Sequence, residues 1–68
     1  MIKEKVGFKI REIRLKNNLS QEKLALLSNL DRTYISSVES GKRNISIVNL
    51  EKIIIALDTT LEDFFKGL

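Results

Sequence analysis

From Arg32 to Ser40 the chain offers only Ile35 and Val38 to a core, while Arg32, Thr33, Ser36, Ser37 and Ser40 make the rest of the surface small and polar. Four hydroxyls that can donate or accept, beside one guanidinium with a planar fork of donors, are equipment for gripping a polar partner. They are poor equipment for breaking bonds. The chain has no His and no Cys, which removes the usual general base, the thiolate nucleophile, thiolate metal ligands and disulfides. Catalysis would need paired carboxylates or an activated Lys or Ser. Glu62 and Asp63 are adjacent, so on a helix they point apart and share no reaction centre. No catalytic residue, metal site, cofactor or small-molecule ligand is expected, and the chain is not read as an enzyme.

The elements that must position this polar face read as helices throughout. Val6, Ile10 and Ile13 recur at helical spacing and predict a first helix over residues 2–16, stopped at Asn17-Asn18, where Asn tolerates the left-handed conformation. Ser20 caps a second helix that begins at Gln21, with Leu24, Ala25 and Leu27 expected inward. Asn29 ends it, Leu30 plugs the turn, and Asp31 caps a third helix that runs to Ser40-Gly41. After the loop Lys42-Arg43-Asn44-Ile45, Ser46 caps a fourth helix whose apolar set is Ile47, Leu50, Ile53, Ile54 and Leu57. Asp58-Thr59 breaks it. Thr60 with Asp63 three residues on reads as a capping box for a short last helix carrying Leu61, Phe64 and Phe65, of which Leu61 and Phe64 are expected to complete the core with Leu50, Ile53, Ile54 and Leu57.

Sixty-eight residues without proline, repeat or linker make one domain, residues 1–68. A chain this short buries only about 60% of its unfolded surface, so packing, helix ends or a second copy must hold it. The longest apolar run, Ile53 to Leu57, is far short of the roughly 20 residues of a membrane span. The opening residues are too charged for a signal peptide, and a cytoplasmic location is expected. Charge is uneven: residues 1–44 carry a net +5 and residues 45–68 a net −2. A polyanion on one side and a different partner on the other fits this asymmetry, as does an ordinary solvated surface. Two capped helices around a tight turn at residues 20–40, the second with little surface committed to packing, fit a helix-turn-helix whose second helix enters the DNA major groove.

The chain resembles the Cro/C1-type helix-turn-helix, or XRE, family over nearly its whole length. The resemblance rests on Ile10-Arg11-Glu12-Ile13-Arg14, on Leu19-Ser20-Gln21-Glu22-Lys23-Leu24-Ala25, on Tyr34-Ile35-Ser36-x-Val38-Glu39-Ser40-Gly41-Lys42-Arg43, and on Leu50-x-x-Ile53 with Leu57. Within that family, Leu30-Asp31-Arg32-Thr33-Tyr34-Ile35-Ser36 and Arg43-Asn44-Ile45-Ser46 are most similar to the controller proteins of restriction–modification systems. Asn18, Asn29 and Asp58 stand where the family usually has Gly, and Thr59 where it has an apolar residue.

The resemblance implies an all-α, five-helix, lambda-repressor-like DNA-binding domain. It implies a transcriptional regulator that binds a palindromic operator on double-stranded DNA as a homodimer and regulates its own operon. Whether it activates or represses depends on where the site lies relative to RNA polymerase. A phage-type repressor of the same fold and an antitoxin-like protein-interaction module are the alternatives.

Under the resemblance, Arg32 reads base edges, its fork matching guanine O6 and N7; the competing reading is a solvated cation beside Asp31. Thr33, Ser36 and Ser37 divide between base, phosphate and water. Tyr34 either meets DNA with its hydroxyl or covers the edge of the core. Gln21, at the positive end of the second helix, suits a phosphate while bracing the neighbouring helix. Ser40, Lys42, Arg43 and Asn44 grip the backbone, with a solvated loop as the alternative for Lys42. A free Glu39 would repel DNA; the resemblance implies that it pairs instead with Arg14, a structural ion pair bracing the third helix. Ile47, Ile55, Phe65 and Leu68 are apolar surplus on the acidic half and read as a dimer face, with Phe8 and Leu15 as alternatives.

Overall fold

Three of the five helices start where a side chain satisfies a free backbone N–H. In the computed structural model, which describes Met1–Leu68, Ser20 Oγ accepts from Lys23 N–H, Ser46 Oγ from Asn49 N–H and Thr60 Oγ1 from Asp63 N–H, at 3.0, 3.1 and 3.1 Å. Such caps contribute about 1 kcal/mol each. They open α2 (Gln21–Ser28), α4 (Ile47–Ala56) and α5 (Leu61–Phe65); α1 spans Ile2–Lys16 and α3 spans Arg32–Glu39. Asp31 occupies the cap position of α3 in extended backbone, but its carboxylate makes no capping hydrogen bond. That is a correction to its expected role: the position is right and the bond is missing.

The three expected helix stops are met without glycine. Asn18, Asn29 and Asp58 adopt φ of 57°, 58° and 58°. Short polar side chains accept this left-handed backbone, which bulky ones resist. After Asn29 the Leu30 N–H returns to the Ala25 carbonyl at 2.9 Å, closing α2 and setting the tight turn into α3. No helix is long and apolar enough to cross a membrane.

The core gathers Val6 and Ile10 from α1, Leu24 and Ala25 from α2, and Ile35 and Val38 from α3. Leu50, Ile53, Ile54 and Leu57 join from α4 and its cap, and Phe64 from α5. Two expected core residues are not in it. Leu27 is 50% exposed, and Ser28 is buried in its stead with its hydroxyl donating to the Leu24 carbonyl at 2.7 Å. The inward face of α2 is centred among residues 24, 25 and 28, which leaves residue 27 about 100° round the helix. Leu61 is 44% exposed because it opens a five-residue helix at the rim of the bundle, where Phe64 alone reaches the interior.

Helices α1 and α3 approach through Gly7. A Cβ at this position would collide with the Val38 carbonyl, so α1 rests directly on the backbone of α3. The other end of α1 is tied to α4: Asn17 Nδ2 donates to the Leu57 carbonyl at 2.9 Å. With its end tied to α4 through Asn17 and its middle seated on α3, α1 acts as the backing plate for the helix-turn-helix.

Candidate nucleic-acid interface

Helix α3 presents its inner stripe, Ile35 and Val38, to the core and leaves Arg32, Thr33 and Ser36 fully on the surface. Nothing in the protein occupies the polar groups of Arg32, Thr33 and Ser36, which stand free for an outside partner. Ser37 is half-buried and already donates to the Tyr34 carbonyl at 3.0 Å, so its hydroxyl reaches outward only as an acceptor. Ser40, just past the helix, is exposed and donates to the Ser37 carbonyl at 3.0 Å.

That Ser37 carbonyl is a junction. It also accepts from Lys42 N–H at 3.1 Å and Arg43 N–H at 3.3 Å, folding the loop 41–45 back against the end of α3. Gly41, at φ 77°, supplies the left-handed step, and the Glu4 side chain lies where a Cβ would go. Lys42, Arg43 and Asn44 are exposed on the loop so formed. Arg43 lies 4.9 Å from the centre of the Tyr34 ring, over its face. The half-buried Tyr34 therefore both covers the core and holds a cation by its π-face. Its expected choice between core and surface is not a choice.

Behind α3, Arg14 is buried and its guanidinium is fully engaged. Nε and Nη2 donate to Glu39 Oε2 and Oε1 at 2.7 and 2.9 Å, and Nη1 donates to the Leu19 carbonyl at 2.8 Å. Gln21 Nε2 donates to Glu39 Oε1 at 3.1 Å. One buried carboxylate thus joins α1, the start of α2 and the end of α3. A paired carboxylate presents no free negative charge to a polyanion. The bracing half of the role expected for Gln21 is this bond.

Residues 10–64 match the model of the helix-turn-helix family, a stretch that contains α2, the turn, α3 and the ion pair behind them. The chain belongs to the helix-turn-helix family. This helix-turn-helix protein is 50% identical over 68 residues to the control protein C.MunI from a Mycoplasma species, covering 98% of this chain and 92% of that one. The crystal structure of the restriction–modification controller protein C.AhdI from Aeromonas hydrophila matches with a TM-score of 0.89 at 48% identity, over 93% of this chain and 96% of that one. The controller protein C.Esp1396I, crystallised as a tetramer with its natural 35 base-pair operator, matches with a TM-score of 0.93 at 45% identity, over 97% of this chain and 87% of that one.

In the helix-turn-helix protein, the polar residues named from sequence gather around one element, and the apolar ones do not gather in one groove. Gln21, Arg32, Thr33, Tyr34, Ser36, Ser37, Ser40, Lys42, Arg43 and Asn44 surround α3 and its exit. Ile47, Ile55, Phe65 and Leu68 are all exposed; three of them line separate grooves, Ile55 with Leu27, Phe65 with Ile2, Asn44 and Ile45, and Leu68 with Phe8. Sequence reasoning missed Arg11, which lines a polar cleft with Arg14, Gln21, Ser36, Glu39 and Ser40. The signal was present. Arg11 stands one helical turn before Arg14, so pairing Arg14 with Glu39 brings Arg11 to the same seam.

Proposed function

We propose that this helix-turn-helix protein is a homodimeric regulator of a restriction–modification operon that works by occupying a palindromic operator, without catalysis, in the cytoplasm. One observation carries the reading: α3 buries only Ile35 and Val38 and holds Arg32, Thr33 and Ser36 exposed with no partner in the protein. Its kinship with controller proteins, one of them crystallised on its operator, supports the same reading. In this reading α3 lies in the major groove and the side chains of its first turn meet base edges. Arg32 takes a guanine, while Thr33, Tyr34, Ser36 and Ser37 make the lesser contacts. Gln21, Ser40, Lys42, Arg43 and Asn44 hold phosphates and fix register. Ile47, Ile55, Phe65 and Leu68 join two copies so that their α3 helices stand about 34 Å apart, one turn of DNA. The position of the operator relative to RNA polymerase sets the sign of regulation.

Selection from random duplex DNA at near-physiological salt tests this. The expected product is a palindrome whose half-sites lie about one turn apart. An unenriched pool would move the function to a protein partner or to non-specific DNA binding.

A further inference from the structure

The cleft where α1, α2 and α3 meet has a volume of about 310 Å³ and no apolar side chain among its lining residues. Its floor is electrically closed. Glu39 receives two bonds from Arg14 and one from Gln21, and Arg14 spends its remaining nitrogen on the Leu19 carbonyl. Arg11 is different: it is exposed and takes part in none of the chain's ion pairs. Ser36 on α3 and Ser40 at its C-cap are one turn apart and line the same cleft. The cleft therefore offers one uncommitted positive charge and one uncommitted hydroxyl, that of Ser36, beside the start of α2, since the Ser40 hydroxyl is spent on the Ser37 carbonyl. This set matches a singly charged oxyanion approaching from outside. Ser36 and Ser40 stand on and just beyond the helix that enters the groove in the functional reading above. The anion that this helix brings within reach is a phosphodiester of the same duplex.

We propose that Arg11 is a ligand for a DNA backbone phosphate, seated in this cleft with Ser36, and that it sets the depth and tilt of α3 without specifying sequence. The proposal rests on the DNA-binding reading. Its test is the salt dependence of binding to the selected duplex, read by fluorescence anisotropy for the wild type, Arg11→Gln and Arg11→Lys. Losing one phosphate contact lowers the slope of log Kobs against log salt by about 0.9 per protomer, so Arg11→Gln should show that loss and Arg11→Lys should keep the slope. Sequence preference and melting temperature should not move in either variant. A wild-type slope for Arg11→Gln overturns the proposal, and so does a changed preference at a single base pair, which would make Arg11 a base reader. A lowered slope accompanied by a lowered melting temperature overturns it too, in favour of a structural role. Inorganic phosphate titrated onto the DNA-free protein by NMR separates the sources: binding that a saturating duplex fails to displace assigns the cleft to a free anion. A wild type that binds no DNA sinks the functional reading itself, a result distinct from an Arg11→Gln protein that binds with an unchanged slope.

Discussion

Arg14 and Glu39 meet through two parallel hydrogen bonds, 2.7 and 2.9 Å long, across the seam between α1 and α3. Both side chains are nearly inaccessible, at 8% and 3% exposure. Glu39→Ala leaves a buried guanidinium without its counter-charge, a change that costs on the order of 3 kcal/mol. Chemical denaturation should show the loss as a lowered midpoint, with weaker operator binding because α3 loses its brace. An apolar pair, Arg14→Met with Glu39→Leu, should recover much of the stability. Unchanged stability and affinity in Glu39→Ala would remove the pair from any structural role.

Gly7 gives a prediction of opposite sign to helix propensity. In an open helix Gly→Ala stabilises by about 1 kcal/mol. Here the new methyl would meet the Val38 carbonyl and the Glu39 backbone, so α1 must lift off α3. Gly7→Ala should melt at a lower temperature than the wild type, and calorimetry would detect it. A higher melting temperature would mean that the two helices can separate at little cost.

Arg32 and Arg43 should divide specificity from grip. Arg32→Ala should relax base preference at one position of each half-site by about 1–3 kcal/mol. Arg43→Ala should weaken binding to all sequences alike and flatten the salt slope by about one unit. Selection and salt titration on both variants would separate the two effects, and indistinguishable results would end this division of labour.

Tyr34 can be split into ring and hydroxyl. The ring supports the Arg43 guanidinium 4.9 Å away. If holding Arg43 is its main service to binding, Tyr34→Phe should match the wild type, and Tyr34→Ala should reproduce Arg43→Ala together with a loss of stability from the exposed core edge. A Tyr34→Phe protein as weak as Tyr34→Ala would give the hydroxyl the leading role.

Ile55 is 70% exposed, so a charge there should leave the protomer folded. Ile55→Asp should sediment as a monomer at concentrations where the wild type is a dimer, and its operator affinity should fall with it. An unaltered dimer would shift the interface towards Phe8 and Leu15.

Helix ends were legible because their chemistry is local: Ser20, Ser46 and Thr60 bond the backbone three residues away, and Asn18, Asn29 and Asp58 turn on their own φ. The face of α3 was legible for the same reason, since two apolar positions in eight residues leave little else to bury. Leu27 and Leu61 were misjudged because apolar type says nothing of which flank a neighbouring helix covers. The seat of Gly7 on Val38, the stack of Arg43 on Tyr34 and the placement of Arg11 depend on how separate elements dock. Arg14 with Glu39 was legible only through family resemblance; nothing local in either residue points to a partner 25 positions away.

The three left-handed helix stops also act on the chain before it folds. Glycine at Asn18, Asn29 and Asp58 would take the same backbone freely, yet it would let the disordered polymer roam more widely at those joints. Replacing it with residues that carry a Cβ narrows the unfolded ensemble, so less entropy is lost on folding. The folded state meets the cost in three mildly strained φ angles. For a chain with so small a core, these joints set a smaller loss of chain freedom on folding against strain in the folded backbone.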